Sequence, residues 1–154
     1  MQIPGYKEDL RIQHLVIDFN GTLAIEGKLI DGVKKLLDRI SQKLQVHVLT
    51  SDSYGTVAGE LKDMPCKITV VEPHHQDFQK GKYVAELGKD NVICIGNGSN
   101  DRSMLKLCAI GIAVIQNEGA ATDSLTSADI VCLSVHQALN LMEHPEMLVA
   151  TLES

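Results

Sequence analysis

The chain has 154 residues, 44% of them hydrophobic and 22% charged, which is typical of one globular domain and excludes a disordered segment. The net charge of −6, without a basic stripe, excludes a protein that binds the phosphate backbone of nucleic acids. The longest apolar stretch, residues 108–115, is far shorter than the roughly 20 residues that span a membrane. We therefore expect one domain over residues 1–154 that binds neither nucleic acid nor a membrane.

Six apolar runs alternate with helical patterns, which predicts a parallel sheet with helices on both faces, a three-layer α/β fold. Near-continuous apolar runs suit strands that are covered on both faces. The predicted strands are residues 14–19, 46–51, 67–71, 92–96, 111–115 and 130–135.

Helical spacing and capping residues predict the segments between these strands. Asp31 is the expected N-cap of the first helix, whose apolar residues continue to Leu44. Further helices are expected over 76–87 with Gly88 at its end, from Asn100 to Cys108, just after Gly119, and over 137–143 with a restart at Pro145. Residues 24–29 predict a small hairpin flap beside the end of the first strand.

Polar residues follow three of the predicted strands at the point where each strand ends. The segments are Asp18-Phe19-Asn20-Gly21-Thr22, Thr50-Ser51-Asp52 and Gly96-Asn97-Gly98-Ser99-Asn100-Asp101. In an open α/β sheet, ligands bind beyond the carboxyl ends of the strands, so these three segments are expected to form one site.

The residue types in these segments suit the transfer of a phosphoryl group. The Asp18 carboxylate can attack phosphorus, and Gly21 allows a sharp turn whose amides face an anion. The Thr50 hydroxyl can donate to a phosphoryl oxygen, and Lys80 can neutralise charge. Asp18 and Asp101 can hold Mg²⁺, which prefers oxygen ligands.

These motifs, in this order, resemble the haloacid dehalogenase (HAD) superfamily, and most closely the phosphorylation domain of P-type ATPases. The D-K-T-G-T, T-G-D, Lys and G-D-G-x-N-D motifs of those pumps are similar to D-F-N-G-T, T-S-D, Lys80 and G-N-G-S-N-D here. The resemblance covers residues 14–141 and implies a HAD-like, Rossmann-like sheet and a Mg²⁺-dependent phosphatase. Lys82 competes for the Lys position, although the spacing to the V-x-x-L-G that follows favours Lys80.

The resemblance also implies roles for individual residues. Asp18 would be the nucleophile and a metal ligand, and Asn20 would offer its backbone carbonyl to the metal. The expected catalytic residues are Asp18, Asn20, Thr50 and Lys80. The expected phosphate-binding residues are Asn20, Gly21, Thr50, Ser51 and Lys80, and the expected metal ligands are Asp18, Asn20, Asn97 and Asp101.

Two departures from the family pattern predict a slow enzyme. Asn20 stands where related phosphatases carry an Asp that protonates the leaving group, a kind of assistance worth about 10²–10⁴-fold in rate. Asn97 stands where the family has a metal-binding Asp, so the expected Mg²⁺ affinity is lower, with Asp52 as a partial compensation. A weak or inactive module that binds phosphate and regulates a partner is therefore the alternative function.

The short connections exclude some members of the superfamily. No nucleotide-binding domain fits between Leu23 and Thr50, which excludes ion pumping, and no cap fits between Asp52 and Lys80. We expect an open site for a small-molecule or protein phosphomonoester. The apolar C-terminal segment, residues 139–152, is expected to pack on the sheet edge, and a contact between subunits of a homo-oligomer is the alternative.

The cysteines indicate the cellular compartment, and neither they nor the histidines predict a zinc site. Four cysteines lie in or beside apolar runs without a C-x-x-C pair, as in buried thiols of a cytoplasmic protein. His74 and His75 have no cysteine at a ligand spacing, so a zinc site is not expected.

Overall fold

The computed structural model describes residues 1–7 and 10–153, which form one six-stranded parallel sheet between two layers of helices. Its strands are β3 (His14–Asp18), β6 (Gln45–Thr50), β7 (Cys66–Val70), β8 (Val92–Gly96), β9 (Ile110–Val114) and β10 (Ile130–Cys132). They lie across the sheet in the order β10-β9-β8-β3-β6-β7. The three-layer α/β fold without a cap is thus confirmed.

Two short antiparallel hairpins lie outside this sheet. One consists of β1 (Gln2–Ile3) and β2 (Leu10–Arg11), and the other of β4 (Ala24–Ile25) and β5 (Lys28–Leu29). The second hairpin is the predicted flap. The first was not predicted, because strands of two residues leave no periodic signal, although Ile3 and Ile12 are fully buried in the core.

The described part of the chain contains seven α-helices, of which the last two follow the final strand. They are α1 (Val33–Ile40), α2 (Val57–Glu60), α3 (Gln76–Leu87), α4 (Arg102–Leu107), α5 (Thr122–Ser127), α6 (Val135–Glu143) and α7 (Pro145–Leu152), with a 3₁₀ turn at Ser99–Asp101 before α4. None of the helices within residues 1–7 and 10–153 is long and apolar enough to cross a membrane.

Each face of the sheet has its own apolar core, because alternate strand residues point to opposite faces. On one face Leu15 and Ile17 of β3 pack with Leu37 of α1 and Leu139 of α6. On the other face Val16 of β3 and Leu49 of β6 pack with Val84 of α3 and with Met104 and Leu105 of α4. The C-terminal helices join the first core, with Leu139 and Leu148 fully buried, as expected for a segment that packs on the sheet.

Three local predictions were wrong. Asp31 does not cap α1, since the residue before this helix is Gly32 with φ of 86° and no side chain accepts a hydrogen bond there. The helix ends at Ile40, and Leu44 is buried in the turn that follows. The last strand stops at Cys132, because the Ser134 hydroxyl accepts a hydrogen bond from the Gln137 amide and starts α6 early.

Candidate active site

The Asp18 carboxylate forms the floor of a cavity at the carboxyl edge of the sheet. Asp18 is the last residue of β3 and is only 7% exposed. The cavity measures about 320 Å³, and its walls come from the ends of β3, β6 and β8, from the start of α3 and from the loop after β9. The lining residues are Asp18, Asn20, Thr50, Ser51, Ser53, Gln76, Asn97, Gly98, Asn100 and Glu118.

The Lys80 ammonium links the segment that begins with Asp18 to the segment that ends with Asn100 and Asp101. Lys80 lies in α3 and is fully buried, and its Nζ lies 2.9 Å from Asp18 Oδ1 and 2.8 Å from Asp101 Oδ1. It also donates to Asn100 Oδ1 at 3.0 Å. Lys82 points outward and only faces Glu86 at 4.0 Å. The structure therefore places Lys80, rather than Lys82, beside Asp18.

One ammonium shared by two buried carboxylates perturbs the protonation of the cluster. Burial raises the pKa of Asp18 to about 7, and repulsion from Asp101 contributes, while Lys80 opposes the rise. Burial alone would lower the pKa of Lys80, but attraction to Asp18 and Asp101 outweighs it and raises that pKa above its ordinary value. Lys80 therefore stays charged, and Asp18 is less acidic than an exposed carboxyl.

Asp101 is enclosed within the loop after β8. Its Oδ2 accepts hydrogen bonds from the amides of Asn97 and Gly98, both at 3.0 Å, while its Oδ1 faces Lys80. A Cβ at Gly96 would lie 2.5 Å from the Asp101 carboxyl carbon, so this approach requires glycine. Both carboxylate oxygens of Asp101 are thus engaged, and Asp101 does not line the cavity.

A second group of oxygens meets on the opposite side of Asp18. The Thr22 hydroxyl lies 3.4 Å from Asp18 Oδ2 and 3.2 Å from Asn97 Oδ1. Asn97 is oriented by its own amide, because Nδ2 donates to the Gly119 carbonyl at 3.2 Å. The expected ion between Asp18 and Asp101 would have to displace Lys80, so the geometry favours a cation near Asp18 Oδ2 and Asn97 Oδ1.

The chemistry of these donors fits Mg²⁺. No cluster of three or more His, Cys, Asp or Glu side chains that could hold a metal occurs among residues 1–7 and 10–153. A cation here would therefore rely on the Asp18 carboxylate, the Asn97 amide oxygen, the Asn20 backbone carbonyl and water. Mg²⁺ commonly binds through one or two carboxylates and keeps several waters.

Asn20 ties the flap to the site. Its Oδ1 accepts a hydrogen bond from the Gly27 amide at 3.0 Å, and the Gly27 carbonyl accepts one from the Thr56 hydroxyl at 2.6 Å. The Gly21 amide donates to the Ala24 carbonyl at 2.7 Å, so this N–H is used within the loop rather than offered to an anion. The Asn20 side chain thus has a structural role, because it holds the flap against the nucleophile loop.

The second motif places its two hydroxyl-bearing residues in the cavity and turns its carboxylate away. Thr50 is 3% exposed, and its Oγ1 accepts the Asp52 amide at 2.9 Å, which leaves its hydroxyl proton free to reach a phosphoryl oxygen. The Asp52 carboxylate accepts the amides of Thr56 and Val57 at the start of α2. Asp52 therefore anchors that helix and lies outside the cavity.

Sequence reasoning missed several lining residues, above all Glu118. This residue follows β9, whose carboxyl end lies at the same edge as those of β3, β6 and β8. The polar run Gln116-Asn117-Glu118 after the fifth predicted strand carries the same signal as the polar segments after the other three strands. Ser53 and Gln76 contribute a hydroxyl and an amide to the mouth of the cavity.

Comparisons with known proteins agree with the fold and with the family that the sequence resembles. The sequence profile of haloacid dehalogenase-like hydrolases matches residues 67–138. An uncharacterised protein of Methanocaldococcus jannaschii is 42% identical over 80 residues, which cover 49% of this chain and 86% of that protein.

Two solved structures illustrate the shared fold. The cobalt-bound deoxy-D-mannose-octulosonate 8-phosphate phosphatase of Haemophilus influenzae superposes with a TM-score of 0.72 at 14% identity, over 94% of both chains. A zinc-transporting PIB-type ATPase superposes with a TM-score of 0.64 at 22% identity, over 80% of this chain and 20% of the pump. The profile match, together with the shared fold, shows that this chain belongs to the haloacid dehalogenase-like hydrolases.

Proposed function

We propose that this protein is a Mg²⁺-dependent phosphohydrolase that forms an aspartyl phosphate on Asp18 and then hydrolyses it. The observation that carries the proposal is the placement of Asp18 on the floor of an open polar cavity, with Lys80 and Asp101 fixed behind it. The likeness to a metal-bound sugar-acid phosphatase supports the same reaction class.

The first chemical step would use groups that already face one another. An Asp18 oxygen attacks phosphorus, the bond between phosphorus and the leaving oxygen breaks, and that oxygen takes its proton from water. The Thr50 hydroxyl would donate to a phosphoryl oxygen, and the Lys80 charge would offset the negative charge that accumulates. Water then attacks the aspartyl phosphate, releases phosphate and restores the carboxylate.

Bound Mg²⁺ would supply positive charge at the transferring phosphoryl group. We propose Asp18, the Asn20 carbonyl and Asn97 as its protein ligands. Asp101, whose oxygens hold Lys80 and the Asn97 amide, would contribute by fixing the position of Asn97 rather than by a direct bond.

The size of the cavity suits the phosphate group of a substrate rather than a whole substrate molecule. The volume of about 320 Å³ suits a phosphate and a few adjoining atoms, and neither the flap nor α2 contributes a lining residue. A small-molecule or protein phosphomonoester could therefore present its phosphate while the rest of the molecule stays outside.

The decisive experiment compares the wild type with Asp18→Asn in hydrolysis of p-nitrophenyl phosphate with Mg²⁺. We expect the variant to lose turnover and to form no acid-stable phosphoprotein after rapid quenching. Asp101 still faces the Lys80 ammonium in this variant, so the substitution should leave the fold intact. Equal background rates for both proteins would contradict the proposal.

A phosphate-binding module without useful turnover is the second candidate, because Asn20 cannot exchange a proton. The Asn20→Asp variant separates the two candidates, since one carboxylate oxygen can still accept the Gly27 amide while the other serves as acid and base. We expect turnover to rise about 100-fold. Asn20→Ala is the control, and no gain in Asn20→Asp would favour the module.

A further inference from the structure

The loop after β9 is fastened to the nucleophile loop at its beginning. Gln116 Nε2 donates to the carbonyls of Gly21 and Thr22, at 3.2 and 2.9 Å. Its Oε1 accepts the amide of Val135, the first residue of α6, at 2.7 Å. Three hydrogen bonds from one side chain therefore fix where this loop starts.

The same loop is fastened to Asn97 farther along. The Asn97 side-chain amide donates to the Gly119 carbonyl at 3.2 Å, and the Ala121 amide donates to the Asn97 carbonyl at 2.8 Å. Glu118 lies between the two attachment points. An Asp at position 97 could not donate to Gly119, so the neutral residue at this position is part of what holds the Glu118 loop in place.

The Glu118 carboxylate lies over Gly21 and beside Asn97. A Cβ at Gly21 would collide with Glu118 Oε2 and would lie 2.8 Å from Asn97 Oδ1. Glu118 also shares the cavity with Asp18, although its side chain is exposed at the mouth. The negative charge of Glu118 thus lies next to Asn97, the neutral residue that stands where the family has a metal-binding Asp.

We propose that Glu118 supplies the negative charge that Asn97 lacks, and binds Mg²⁺ together with Asp18, directly or through a water molecule. The inference rests on the proposed function, because it concerns the same cation. The Lys80 charge is already shared by Asp18 and Asp101, so a cation on the Asn97 side gains from a further carboxylate. In this arrangement Asn97 holds the loop after β9 in place, and Glu118 provides the negative charge that faces the cation.

Metal binding itself provides the test, so catalysis is not needed as a readout. Mg²⁺ is titrated calorimetrically, and Mn²⁺ binding is followed by the loss of the free-ion EPR signal. We expect Glu118→Gln to weaken both affinities about 10-fold. Glu86→Gln, which removes an exposed carboxylate from α3, is the matched control and should bind as the wild type does.

A charge-swap variant sharpens the result. Asn97→Asp combined with Glu118→Gln should return the affinity to within about 3-fold of the wild type, as expected for a charge moved by one side chain. If the wild type binds Mn²⁺ and Glu118→Gln binds it equally well, the inference alone is overturned. If the wild type binds neither ion, the inference and the metal requirement of the proposed function both fail.

Discussion

Two polar clusters, one charged and one neutral, take residues from both β3 and α3. The charged cluster at the carboxyl edge contains Asp18, Lys80 and Asp101. The neutral cluster toward the amino edge is a chain of hydrogen bonds: His14 Nδ1 lies 3.0 Å from His47 Nε2, and His47 Nδ1 lies 2.7 Å from the Tyr83 hydroxyl. β3 and α3 thus each carry one candidate site residue and one structural polar residue.

The two clusters respond to burial in different ways. Burial, with smaller contributions from His14 and Lys67, lowers the pKa of His47 to about 4, so this ring stays neutral at ordinary pH. Lys80 keeps its charge because two carboxylates face it. A buried charge is retained where counter-ions and a cavity for a ligand exist, and buried polar groups elsewhere are kept neutral.

Loss of one member of the charged cluster should lower the free energy of unfolding more than loss of a member of the neutral cluster. The Lys80→Met variant tests this. The substitution leaves Asp18 and Asp101 buried without their cation, so we expect a loss of roughly 3–5 kcal/mol in the free energy of unfolding. Urea denaturation measures this loss, and turnover should disappear with it. Lys82→Met, on the exposed side of the same helix, should change stability by less than about 0.5 kcal/mol. Similar losses in both variants would remove the distinction between the two lysines.

The neutral cluster should fail in acid instead. The unfolded chain protonates His47 near its ordinary pKa of 6.5, whereas the folded chain resists protonation until about pH 4. The stability due to a neutral His47 is therefore complete above pH 6.5 and is lost as the pH falls towards 4, by up to about 3 kcal/mol. His47→Gln should flatten this part of the plot of unfolding free energy against pH.

The control for this pH dependence is His74→Gln, which alters an exposed ring in the loop before α3. The difference between the wild type and each variant cancels the titration of the surface carboxylates. A His47→Gln protein that loses stability in acid as steeply as the wild type would show that His47 is not held neutral by the fold.

Sequence alone could predict the sheet and the main residues of the charged cluster. Parallel strands bring their carboxyl ends to one edge, so Asp18 and Thr50 had to lie close together once the strands were recognised. Helical spacing also distinguishes Lys80 from Lys82. Lys80 and Val84 lie four residues apart on the buried face of α3, whereas Lys82 points outward.

The remaining features depend on contacts between distant segments. Asp101 was expected at the metal, but the amides of Asn97 and Gly98 turn its carboxylate into the loop. Glu118 reaches the cavity because Gln116 bonds to a loop about 95 residues earlier in the chain. No local pattern encodes these orientations, and the pairing of His47 with Tyr83 of α3 is of the same kind.

Tyr83→Phe gives the smallest expected effect and tests whether the neutral cluster holds α3 against the sheet. The phenyl ring keeps the packing of a half-buried side chain, but His47 Nδ1 loses its partner inside the protein. An unpaired buried nitrogen costs about 1–2 kcal/mol, which urea denaturation can resolve. Tyr54→Phe removes the same hydroxyl from an exposed ring and should leave stability unchanged. If Tyr83→Phe were as stable as Tyr54→Phe, water would satisfy His47 equally well, and only the charged cluster would depend on partners within the protein.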